Sequence, residues 1–84
     1  MSDLLDRYLA FGLPLWITEI GINEPARQAD YLQNVFELAR DRYGASVPVV
    51  FWFCWSDGMV FPFGVVDRNG AQKPAYARFR ALAP

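Results

Sequence analysis

Glu19 is the residue of this chain best placed to do chemistry. It closes the run Leu13-Pro14-Leu15-Trp16-Ile17-Thr18-Glu19-Ile20-Gly21, a short apolar strand that stops at a glycine. A carboxylate at the end of a buried strand is costly unless it has a task or a partner. Carboxylates serve as nucleophiles and as general acids and bases. A second strand, Val49 to Trp55, ends on an indole, with the polar pair Ser56 and Asp57 behind it. From spacing alone, Glu19 reads as an exposed residue capping a strand end. Trp55 likewise reads as an apolar plug, because aromatic side chains are core more often than ligand platforms.

The elements that must hold these residues follow from pattern. Ser2 can cap a helix over 2–11 that carries Leu4, Leu5, Tyr8 and Leu9 on one stripe, and Gly12 and Pro14 stop it. A strand over 15–20 follows. Asn23, Glu24 and Pro25 suit a helix start: a capping amide, an acid at the positive end and a proline in the first turn. That helix runs over 24–43, with Leu32, Val35, Phe36, Ala39 and Tyr43 at helical spacing, and Gly44 closes it. The strand over 49–55 is apolar without alternation, which fits a strand covered on both faces. A loop over 56–73 contains the turn Asp67-Arg68-Asn69-Gly70. Pro74 opens a last helix over 74–83, with Tyr76, Phe79 and Leu82 on one side.

The order helix, strand, helix, strand, helix predicts an α/β chain, one incomplete domain over 1–84 with two adjacent parallel strands joined by a right-handed crossover. Two parallel strands do not make a free-standing sheet, so the unit calls for more strands on both sides. Alternation places Leu15, Ile17 and Glu19 on one face of the first strand, and Val49, Phe51, Phe53 and Trp55 on one face of the second. If those faces line the same interior, Glu19 and Trp55 meet at the carboxyl ends of the strands, while Trp16, Thr18, Trp52 and Cys54 face the helices.

Composition narrows the function classes. The 84 residues carry a net charge of −1 with acids and bases interspersed, so nothing favours nucleic-acid binding. With 54% hydrophobic residues, the chain exposes surface that suits a neighbour. Histidine is absent, which excludes histidine triads and histidine metal sites within the chain. The single cysteine, Cys54, lies in an apolar strand and reads as core packing. No apolar run approaches the ~20 residues of a membrane helix, and no basic-then-apolar leader opens the chain. Neither cofactor, metal nor membrane is expected, and localisation stays open.

Three segments together resemble a known clan. They are Trp16-Ile17-Thr18-Glu19-Ile20-Gly21, Phe51-Trp52-Phe53-Cys54-Trp55-Ser56-Asp57, and the tail Phe63-Gly64-Val65-Val66-Asp67-Arg68-Asn69-Gly70-Ala71-Gln72-Lys73-Pro74-Ala75-Tyr76. The chain resembles the C-terminal third of a retaining glycoside hydrolase with a (β/α)8 barrel, in the large clan that includes cellulases, mannanases, xylosidases and β-galactosidases. The resemblance implies a partial TIM barrel comprising its last two strands, a carbohydrate substrate, and Glu19 as nucleophile. It implies that Trp55 is a sugar platform with a cis peptide after it, at Trp55-Ser56. Asp57 joins it as a substrate-binding candidate; its other reading is a turn residue. The clan's acid/base glutamate often sits in an Asn-Glu pair, but Asn23-Glu24-Pro25 is explained by capping and receives no catalytic role. The strand that carries the acid/base is missing. A whole barrel takes ~250 residues, and general acid help is typically worth ~10²–10⁴ in rate. The isolated chain is therefore expected to be inactive, as a truncated reading frame or an excised fragment, unless a missing barrel segment completes it. Two other readings remain: a self-assembling βαβ module, and a non-catalytic carbohydrate-binding remnant.

Overall fold

The computed structural model describes residues 2–82. The first helix, α1 (Ser2–Leu9), ends where Gly12 takes a positive φ of 78° and the last amides fall back to tighter bonds, Gly12 N–H to Leu9 O at 3.0 Å. Its stripe is only partly used: Leu5 is buried, while Leu4 and Tyr8 stay more than half exposed. Asp6 ties α1 to the rest of the chain, accepting hydrogen bonds from Tyr43 Oη at 2.8 Å and Arg42 Nη2 at 3.3 Å. The side chain of Ser2, the end of the last helix at position 83 and the outermost residues lie outside what is described.

Strand β1 (Trp16–Ile20) pairs in parallel with β2 (Val49–Trp52), forming a two-stranded sheet. The connection is not one helix over 24–43. A 3-10 turn, Pro25–Arg27, leads into α2 (Gln28–Leu38), which loosens into a π-turn, Ala39–Tyr43, and a 3-10 turn, Gly44–Ser46. Glu24, not Asn23, occupies the capping position, and its side chain makes no capping bond. Helix α3 (Pro74–Leu82) packs beside α2, with Phe36 and Phe79 edge to face at 5.8 Å.

The second strand ends at Trp52, three residues short of Trp55, because β1 has no residue left to partner it. Phe53 N–H still reaches Ile20 O at 2.8 Å, but Cys54 N–H turns to Phe63 O at 3.1 Å. Trp55 O then accepts from Val65 and Val66 at 3.0 and 3.1 Å. The cis peptides among the described residues are Phe53-Cys54 and Phe61-Pro62, so the expected cis bond at Trp55-Ser56 is not there. Gly21 permits this crossing, since a Cβ there would overlap the Phe53 carbonyl oxygen and press the Phe63 ring at 3.1 Å.

Both helices lie on one face of the sheet. The core is Leu32, Val65, Val66 and Ala75, all at most 4% exposed, with Trp52 and Phe79 packed against it. Trp16 (60%) and Phe51 (54%) stand exposed on the opposite face, away from α2 and α3, where Leu5 and Tyr8 of α1 come alongside β1. The extents of 43 × 22 × 18 Å and a radius of gyration of 13.4 Å, against about 12 Å for a compact chain of this length, describe an open slab.

Candidate functional site

Glu19 sits at the carboxyl end of β1, and a slip in register sets its direction. Trp16 pairs with Val49 and Ile17 with Val50, but Ile20 pairs with Trp52. Over that interval β1 therefore advances three residues for two on β2, so Thr18 and Glu19 together oppose Phe51. Paired residues of parallel strands share a face. Trp52 points to the helices, so Val50, Ile17 and Ile20 do too, while Val49, Phe51 and Trp16 share the open face. Expecting Ile17 and Glu19 on one interior face was therefore half right in position and wrong in register. Ile17 turns to the helices and Trp16 to the open side, because a one-residue slip exchanges faces. Glu19 keeps the open side through the extra residue.

The carboxylate of Glu19 is exposed, and among the described residues it makes no hydrogen bond or ion pair. It borders a shallow groove of about 250 Å³ between α1 and β1, walled by Leu5, Tyr8, Leu15 and Trp16. No other charged residue lines that groove, so the carboxylate is an available hydrogen-bond acceptor.

Trp55 does not join it. The ring is 56% exposed and lies edge to face with Tyr76 of α3, centroids 6.0 Å apart. It borders a different cavity, of about 100 Å³, with Trp52, Cys54, Val65 and Phe79. The expected meeting of Glu19 and Trp55 in one cavity is therefore not made. Parity could be counted only while β2 kept its ladder, and that ladder stops before Trp55. The aromatic surfaces on Glu19's own face are Trp16 and Phe51.

Asp57 is 7% exposed and turned inward. Its Oδ1 accepts from Gly64 N–H at 2.9 Å and from Lys73 Nζ at 3.0 Å, and Lys73 Nζ also donates to Pro62 O at 3.0 Å. The pair fastens the 56–64 loop to the start of α3, so the carboxylate offered for substrate is engaged in holding the loop. Gly64 must be glycine for this, because a Cβ would overlap the Asp57 amide nitrogen and the Ser56 backbone. Glu24 forms an exposed ion pair with Arg27 at 3.2 Å, a contact of little energetic weight.

Sequence reasoning missed Gln28. It is 2% exposed, and its Nε2 donates to Gly64 O at 2.9 Å and Phe63 O at 3.2 Å, with Pro62 O at 3.4 Å. The signal was present: a polar residue at the head of the apolar stripe 28, 32, 35 and 39. No grouping of three or more His, Cys, Asp or Glu among the described residues could hold a metal. No described helix is long and apolar enough to cross a membrane. Comparisons with known protein families, with curated proteins and with solved structures found no match.

Proposed function

We propose that this chain is the nucleophile-bearing C-terminal portion of a retaining glycoside hydrolase barrel, and that it does not turn over substrate alone. The observation that carries the reading is the placement of Glu19: a free carboxylate at the carboxyl end of a parallel strand, on the sheet face away from α2 and α3. In a parallel barrel that end carries the active site, and that face lines the interior. The helices α2 and α3, confined to the other face, occupy the place of the barrel's outer layer. Two unpaired strand edges leave room for neighbours on both sides.

In this reading the Glu19 carboxylate attacks the anomeric carbon of a sugar and forms a glycosyl ester, which water then hydrolyses. A second carboxyl group, ~5–5.5 Å away, protonates the leaving oxygen and later activates the water. Glu24, the next acid along the chain, is paired with Arg27 at the surface and does not fill that role. The acid must come from the missing part of the barrel. Trp16 and Phe51, not Trp55, are the aromatic surfaces beside the nucleophile, while Asp57 and Lys73 brace the loop behind it.

The test compares the 84-residue chain with the same chain joined to its in-frame upstream coding sequence, using dinitrophenyl glycosides. The longer protein is expected to hydrolyse a member of the panel, with activity lost in Glu19→Gln, while the short chain shows none. A longer protein whose hydrolysis survives Glu19→Gln removes the reading.

A further inference from the structure

Among the described residues, the outer edge of β2 is backbone without a strand partner. One edge of β2 pairs with β1. Apart from that ladder, none of the described backbone hydrogen bonds beyond regular elements involves Val49, Val50, Phe51 or Trp52. Proteins guard such edges with charges, prolines or covering loops. Here the strand and its continuation, Val49 through Trp55, contain no charge, no proline and no glycine. Phe51 is 54% exposed on it.

We propose that this edge is a homotypic docking site, at which the β2 strand of a second copy pairs antiparallel across a two-fold axis. The product is a four-stranded sheet in the order β1, β2, β2 of the second copy, β1 of the second copy. The choice of occupant rests on charge and on area. A two-fold axis sets a strand against its own sequence, so a charged edge would face like charge. The edge of β2 carries none; centred on the strand, Val49 meets Trp52 and Val50 meets Phe51, and aromatic and β-branched side chains pair well across strands. The free edge of β1 carries Glu19, which in such a pairing would stand diagonal to its own copy, beside α1. The chain also exposes 5707 Å², where a compact chain of 9.6 kDa exposes about 5,100 Å². That excess of about 600 Å² approaches the ~800 Å² that each partner contributes to a standard interface. The inference does not depend on Glu19 being a nucleophile, because a dimer of the short chain needs only the edge.

Sedimentation velocity on the 84-residue chain, from micromolar to submillimolar concentration, tests it together with amide exchange. A species of twice 9.6 kDa is expected to grow with concentration, while the outward amides, those of Val50 and Trp52, slow in step. Phe51→Lys weakens self-association by about tenfold or more. Trp16→Lys, on the same face but on β1, leaves it unchanged. A monomer throughout, or a dimer whose β2 amides exchange as fast as the monomer's, overturns the proposal. So does a dimer that Trp16→Lys dissociates as strongly as Phe51→Lys, which would place the contact on the sheet face instead of its edge. The exchange measurement uses the unaltered chain, so the outcome stands even if a variant unfolds.

Discussion

The part of the molecule before α2 and the part after β2 are held in opposite ways. Between residues 3 and 27, Leu5 is the only buried residue described, and Phe11, Leu13 and Trp16 are each at least 60% exposed. After β2, an irregular stretch of loop is pinned from three directions. Gln28 grips its carbonyls, Asp57 and Lys73 cross it, and Val65 and Val66 enter the core beside Leu32 and Ala75. Regular secondary structure is thus no guide to rigidity here. The loop is the anchored element, and the strand with the free carboxylate is the exposed one. In the anchored half the Asp57 carboxylate is 7% exposed and is committed to the loop through Oδ1. Glu19 is an exposed carboxylate without a partner among the described residues, in the sparsely packed half.

Substitutions sharpen that contrast. Asp57→Ala leaves the half-buried Lys73 ammonium with only the Pro62 carbonyl and is expected to cost about 3 kcal/mol, read from urea midpoints. Gln28→Leu removes the donor from buried carbonyls and costs about 2 kcal/mol in the same assay. Glu19→Gln changes stability by no more than about 0.5 kcal/mol, because the side chain is exposed and unpartnered. If Glu19→Gln proved as damaging as Asp57→Ala, the division between the two halves would collapse. The smallest effect is on α1. Desolvation, followed by the hydrogen bond to Asp6, raises the Tyr43 hydroxyl above its ordinary value of 10.0. A raised value means that the fold favours the protonated phenol. Its contribution is fully present below pH 10 and is lost as pH rises through the higher folded value. Amides of α1 are therefore expected to exchange more freely in that alkaline range, beyond the ordinary base-catalysed increase seen for α3.

The sequence carried the parallel strand pair well, because a continuous apolar β2 and a striped helix are local signals. It carried the site less well, for reasons that lie in pairing. Alternation assigns faces only while two strands stay in register, and the slip at Thr18 and Glu19 exchanged Ile17 for Trp16. It assigns them only while a strand lasts, and β2 ran out of partner before Trp55. The Asp57–Lys73 pair joins residues sixteen positions apart through a folded loop, which no local pattern announces. Gln28 could have been found, as the one polar residue on a buried stripe.

Mass mapping after treatment with a 2-deoxy-2-fluoro dinitrophenyl glycoside tests the central claim most directly, since such a reagent needs a nucleophile but little acid help. Applied to the chain joined to its in-frame upstream sequence, it is expected to leave one sugar per molecule, on the peptide containing Glu19, and none in Glu19→Gln. A sugar found on any other carboxylate would contradict the account.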